Sequence, residues 1–137
     1  MTTTEANKAL VRRYYEEMWN RWDLSLAEAL LAPDVRFRGS LGTEGRGVRD
    51  FRRYARSVWL AFPDFHNEVN ELIAEYDRVA ARLTYTGTHR GELMGVAPSG
   101  RAVRYDGAAL FRIADGRIAK LWVAADRLTV LEQISGV

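Results

Sequence analysis

The sequence predicts an α+β fold in which helices cover one face of a strongly curved, mostly antiparallel sheet. Three observations carry that prediction. Up to Phe62 the apolar residues recur at helical spacing; from Asp64 onward they alternate over long runs. The segment Ala114-Asp115-Gly116-Arg117, set between two alternating runs, has the residues of a tight hairpin turn. Helices followed by a meander of strands make an α+β plan, not the interleaved pattern of a parallel sheet.

The elements follow in order. Glu5 to Trp22 carries Leu10, Val11, Tyr14, Tyr15, Met18 and Trp22 on one helical face, and Thr2 and Glu5 stand at capping-box spacing before it. Ser25 and Glu28 repeat that spacing ahead of a short helix with Leu26, Leu30 and Leu31, which Pro33 is expected to end. Val35 to Ser40 alternates as a short strand, and a loop with Gly42, Gly45 and Gly47 follows. A third helix runs from about Val48 to Phe62, with Phe51, Tyr54, Ala55, Val58 and Phe62 as its stripe and Pro63 as its stop. Long strands are expected over 64–75, 78–89, 102–113 and 117–125, and a last helix over Arg127 to Ile134. A single domain, residues 1–137, accounts for the whole length.

Composition excludes several functions. Hydrophobic residues make up 47% of the chain, enough for a substantial core. With no cysteine there is no disulfide, thiolate metal site or cysteine nucleophile. The net charge of +2 comes from arginines spread along the chain and mixed with acids, so no nucleic-acid partner is expected. The polar start and the lack of a membrane-length apolar run predict a soluble, cytoplasmic protein without a membrane partner. His66 and His89 lie on different strands with no local ligand cluster, so no metal is expected. GTEGRG lacks the phosphate-loop pattern, no dinucleotide unit is present, and the serines lack a nucleophile elbow; no organic cofactor is expected.

Acid–base chemistry in an aromatic-lined cavity remains. The concave side of such a sheet must be filled by side chains or a ligand. The helix aromatics Tyr14, Trp22, Phe51, Tyr54 and Phe62 and the strand aromatics Tyr85, Tyr105 and Trp122 are candidate lining residues, as is Arg82 on the second long strand. Asp126 ends the apolar run Leu121 to Ala125. It shares strand parity with Ile118 and Trp122, so an inward Trp122 implies an inward Asp126. A carboxylate facing an apolar cavity would have its pKa raised toward that of a useful base. The same residue also stands at the N-cap of the last helix. His89 is either a polar strand end or a proton donor and carbonyl polariser.

FPDF at Phe62 to Phe65, Thr86-Gly87-Thr88-His89, Gly95-Val96-Ala97-Pro98-Ser99-Gly100-Arg101, Phe111 to Ile118, Trp122, Asp126 and Leu131-Glu132-Gln133-Ile134 stand in that order. This ordered set resembles the SnoaL-like polyketide cyclase family, also called ester cyclases, within the nuclear-transport-factor-like superfamily. The resemblance implies a conical α+β barrel with a deep pocket, and a homodimer or larger assembly. It implies cofactor-independent cyclase or isomerase chemistry on a small hydrophobic or aromatic, polyketide-like substrate. Ring closure would be of intramolecular aldol type, with Asp126 as general acid/base and His89 or a tyrosine on the enolate oxygen. Tyr14 most nearly matches a pocket-shaping tyrosine. Two departures stand out: Ala124 occupies the place where some cyclases carry a histidine, and Arg82-Leu83-Thr84 lacks the carboxylate of epoxide-opening relatives. Epoxide opening through Asp126 and Asp106 is one alternative, and a non-catalytic ligand-binding or protein-interaction module is another.

Overall fold

A computed structural model of the chain describes residues 3–136. Helix α1 (Thr3–Arg13) continues into a π-helical segment, Tyr14–Trp19. A 3-10 turn at Leu24–Leu26 leads into α2 (Ala27–Leu30), then β1 (Leu31–Arg38), β2 (Glu44–Arg46) and α3 (Gly47–Ala61). The long strands are β3 (His66–Glu75), β4 (Arg78–Thr88), β5 (Ala102–Ala114) and β6 (Arg117–Ala125), and α4 (Arg127–Ser135) closes the chain. Thr2, and with it the expected first capping box, lies outside the described residues.

The six strands form one sheet in the order β2-β1-β6-β5-β4-β3. Only the β1–β6 pair is parallel. The expected α+β cone, a strongly curved and mostly antiparallel sheet wrapped on the N-terminal helices, is borne out; the sheet itself stays open, with β2 and β3 at its edges. The core lies between the concave face and α1, the π segment and α3. Phe51, Tyr54, Ala55 and Val58 form the buried stripe of α3, at the spacing of one helical face.

Local chemistry explains most boundaries. Asp115 and Gly116 both take positive φ, +53° and +74°, as the twisted hairpin turn between β5 and β6 requires. Gly136 ends α4 in the left-handed conformation at φ +75°. The second helix start differs from expectation: Asp23, not Ser25, is the cap, accepting the Ser25 backbone N–H at 3.2 Å and also the Ser25 hydroxyl. Pro33 does not stop the helix, which already ends at Leu30. It sits in β1 between the two points where that strand registers with β6, Leu31 and Arg36, so its missing N–H interrupts no ladder bond.

Candidate active site

Five of the six tyrosines are buried in one interior cluster: Tyr14, Tyr15, Tyr54, Tyr85 and Tyr105. The π segment assembles its helical side. An i→i+5 turn is wider than an α-turn, so Tyr14 and Trp19, five residues apart, both face the core beside Tyr15 and Met18. Trp19 meets Tyr54 edge-on at 5.7 Å between ring centroids, and Tyr14 meets Tyr15 at 4.9 Å. From the sheet, Tyr85 and Tyr105 lie against each other at 4.8 Å between centroids, their rings tilted by 33°. The segment's end is tied to β3: the Asn20 amide donates to the Asn67 carbonyl at 2.9 Å and its oxygen accepts the Asn67 backbone N–H at 2.8 Å.

Ser40, just past β1, organises two of these phenols. Its backbone N–H donates to the Tyr54 hydroxyl at 3.2 Å, and its Oγ shares a hydrogen bond with the Tyr105 hydroxyl at 3.0 Å. Tyr15 and Tyr85 differ. The two hydroxyls approach each other closely enough to shift each other's acidity, yet both are buried without a hydrogen bond of proper geometry. Buried hydroxyls in this state are costly, and they are free to donate to an incoming oxygen.

The free space among these side chains is only about 10 Å³, enough for about one water. The expected deep pocket is thus filled by aromatic rings. Its lining includes Tyr14, Tyr15, Tyr54, Tyr85, Ser40 and Asn67 but no ionisable acid or base of ordinary pKa. Burial holds the phenols protonated. It pushes Tyr54 up to about 12, even with the Ser40 hydrogen bonds pulling the other way. Burial likewise raises Tyr14, Tyr15, Tyr85 and Tyr105 well above the usual tyrosine range. The interior therefore offers neutral O–H donors, not bases.

Asp126 does not face this space. On β6, Ile118 is buried, but Lys120 pairs with Arg112 while Ile118 pairs with Ile113, leaving Ala119 as an extra residue. That bulge reverses the strand's parity. Beyond it Leu121 and Val123 point inward and line the cavity, while Lys120, Trp122 and Ala124 point outward. Asp126 keeps the parity of Trp122, as expected, but on the outer side. It caps α4, accepting the Thr129 backbone N–H at 3.1 Å and the Thr129 hydroxyl at 2.6 Å. The Thr129 hydroxyl and then its N–H lower the carboxyl pKa, the opposite of what a cavity base needs.

Three further candidates also lie elsewhere. Trp122 is on the outer face between Arg38 and Lys120, each within 6 Å of its ring. Arg82 is on that face too, beside Glu71 at 3.7 Å. His89 is fully buried at the end of β4 against Phe62, outside the cavity lining. Its Nδ1 accepts the Ser99 N–H at 3.1 Å and meets the Ser99 hydroxyl at 2.9 Å, which assigns the proton to Nε2. His89 thus pins the loop that returns at Arg101. Asp106 is exposed on the outer face, accepting from Thr84, so the epoxide-opening alternative loses its second carboxylate. Tyr14, Tyr54 and Tyr105 lie together in the buried tyrosine cluster. Tyr15, Trp19, Ser40 and Asn67 were not anticipated as site residues; only the adjacent Tyr14-Tyr15 pair hinted at them.

The model of the SnoaL-like polyketide cyclase family matches residues 9–134. The chain belongs to that family. AclR of Streptomyces galilaeus, a candidate hydroxylase, is 33% identical over 98% of this chain and 84% of its own, with a TM-score of 0.83. IdmH of Streptomyces antibioticus, a candidate polyketide cyclase, is 31% identical over 96% of this chain and 99% of its own, with a TM-score of 0.81. A SnoaL-like protein from Jannaschia sp. CCS1 is 24% identical over 100% and 97%, and its TM-score of 0.90 shows the shared fold. No functionally curated protein matches the chain. Among the described residues no helix is long and apolar enough to cross a membrane.

Proposed function

We propose that this SnoaL-like protein is a polyketide-cyclase-type enzyme that folds a small, carbonyl-bearing, aromatic or polyketide-like substrate among its interior tyrosines and promotes aldol-type ring closure by hydrogen bonding. The observation that carries the proposal is the pair of buried, unpartnered hydroxyls on Tyr15 and Tyr85. Held neutral by burial, they can donate to the oxygen on which enolate charge develops, in a water-poor setting where such bonds act strongly. Tyr54 and Tyr105, oriented through Ser40, extend the donor set. In this reading Asp126 anchors α4 and performs no proton transfer. The α-carbon attacks a second carbonyl of the substrate, and the proton that it gives up passes, directly or through one water, to that carbonyl's oxygen, so the new C–C bond and the new hydroxyl form with no net loss of a proton. The acidity of the α-proton is raised by the same hydrogen bonds.

A reactive poly-β-ketone, followed by the absorbance of its cyclised aromatic product, tests the proposal. Wild type should accelerate closure over buffer. The Tyr15→Phe/Tyr85→Phe double variant should lose about a hundredfold. A wild-type rate equal to buffer, or a double variant as fast as wild type, would overturn it. The side-chain-filled cavity and the capping role of Asp126 favour a second reading, a non-catalytic ligand-binding or protein-interaction module. Saturable binding of the same molecule with no rate enhancement would select that reading.

A further inference from the structure

The two long N-terminal helices carry their exposed arginines differently. At the end of α1, Arg12 and Arg13 each have an acid one turn on, Glu16 at 2.9 Å and Glu17 at 3.2 Å, as suits a solvated face. On α3, Arg49, Arg53 and Arg56 stand at i, i+4 and i+7, all three exposed. None of them forms an ion pair or hydrogen bond with a described residue. Arg52 beside them is held by Glu28 at 2.8 Å, and the Asp50 carboxylate is turned to the Arg46 backbone N–H at 3.1 Å. Like charges at these spacings weaken a helix, and a cation in the first turn, Arg49, opposes the helix dipole. A merely solvated face gives no reason for such a line.

The line runs on into an apolar end. Leu60, at i+11, is 65% exposed and Trp59 45%. Trp59 meets Trp22 edge-on at 6.2 Å, and the two border an open cleft of about 470 Å³ with Leu24, Arg56 and Leu60. Trp22 reaches the cleft from left-handed backbone, φ +52°, a conformation that bulky residues avoid.

We infer that this face docks an acidic amphipathic helix of a partner protein, with carboxylates over Arg49, Arg53 and Arg56 and a large apolar side chain in the Trp22–Trp59 cleft. Charge sets the sign of the partner, and spacing sets its form. The arginines follow one another by about 6 Å and then about 4.5 Å along the helix axis. A second helix repeats those steps with its own i, i+4 and i+7 side chains. An extended chain offers equal steps of about 7 Å on one face and is about 3 Å out of register at Arg56. A lipid surface would reward apolar side chains along the whole face, whereas here they are confined to the end of α3. None of these residues lines the tyrosine cavity, so the inference stands apart from the ring-closing reading.

A fluorescein-labelled peptide, stapled as a helix, with glutamates at i, i+4 and i+7 and a leucine at i+11, tests this by anisotropy with the full chain. Wild type should bind saturably. Arg53→Glu/Arg56→Glu should weaken binding at least about thirtyfold, and Trp59→Ala about tenfold. Circular dichroism should stay native, because all three side chains are exposed. A peptide with lysines at i+4 and i+7 should bind the charge-reversed variant at least about tenfold better than it binds wild type. Arg12→Glu/Arg13→Glu makes the same change in net charge on α1 and should bind the first peptide within about twofold of wild type. Absence of binding, equal losses in the α1 and α3 variants, or indifference to Trp59→Ala overturns the helical partner. Retention of wild type by phosphatidylglycerol vesicles, lost with Arg53→Glu/Arg56→Glu and unaccompanied by peptide binding, overturns it in favour of a membrane surface.

Discussion

The Asp126 carboxylate takes both hydrogens that Thr129 can offer, its backbone N–H at 3.1 Å and its hydroxyl at 2.6 Å. Both oxygens are committed to the first turn of α4, on the outer side of the sheet. Asn caps a helix about as well as Asp, whereas Ala does not. Asp126→Asn should therefore keep ring-closing activity within about twofold, and Asp126→Ala should lower the thermal midpoint more than Asn does. A loss of turnover by orders of magnitude in Asp126→Asn, with the melting curve intact, would restore this residue as the acid/base.

The same pair has a pH signature. The Thr129 hydrogen bonds depress the folded pKa of Asp126 below its unfolded value. Such a group contributes stability above the unfolded pKa, near 3.9, and loses that contribution as pH falls through the lower folded value. The difference in urea midpoint between wild type and Asp126→Asn should be constant from about pH 5 to 7 and shrink as the pH falls below about 4. A difference that grows on acidification would contradict the assignment.

The fate of β6 shows what could be read from the sequence. Strand positions, the hairpin at Asp115-Gly116, α3 and its stripe were all legible, because each rests on local periodicity or turn chemistry. The inner residues of β6 were not, because parity propagates only along an unbroken strand. A single extra residue, Ala119, reverses every side chain after it. The trace of it is the spacing of the buried residues, three from Ile118 to Leu121 and two from Leu121 to Val123. Trp19, four residues after Tyr15 and eight after Val11, stands at the edge of the α-helical stripe, and the π turn brings it fully onto the buried face beside Tyr14. Ser40 lies beyond the strand and acts through long-range partners, which no local pattern reports.

Tyr15 and Tyr85 give a prediction in which stability and activity move apart. Removing a buried hydroxyl that has no partner deletes an unpaid desolvation cost. Tyr15→Phe or Tyr85→Phe should leave the unfolding free energy unchanged or raised by up to about 1 kcal/mol, while lowering kcat by about tenfold. Tyr105→Phe should behave oppositely in stability, because it strips Ser40 Oγ of its partner; about 1 kcal/mol should be lost. Urea unfolding of the three variants separates these outcomes, and equal losses in all three would contradict the hydrogen-bond assignment.

Gly39 is required by close approach and not by backbone conformation. A Cβ there would collide with the Tyr54 ring and hydroxyl. Because Tyr54 is fixed by Ser40 on one side and packs against Trp19 and Phe37, the ring has little room to yield. Gly39→Ala should cost about 1–3 kcal/mol by overpacking. The Gly39→Ala/Tyr54→Leu double variant should recover most of the loss attributable to the clash, read as non-additivity in a thermodynamic cycle. Simple addition of the two single effects would place the strain elsewhere.

The buried phenols also fix how the fold responds to alkali. Burial raises all five of their pKa values, Tyr54 to about 12. A raised value means that the folded chain keeps a proton which the unfolded chain gives up. The resulting contribution is complete below the unfolded pKa, near 10, and is lost as pH rises through the folded value. The urea midpoint should therefore be insensitive to these groups up to about pH 9.5 and fall steeply above it. Tyrosinate absorbance from the buried rings should appear together with the loss of native circular dichroism, in one transition. If five tyrosinates formed while the dichroism stayed native, hydroxide would be reaching the interior of the folded protein, and the hydroxyls of Tyr15 and Tyr85 would be solvated instead of poised for a substrate oxygen.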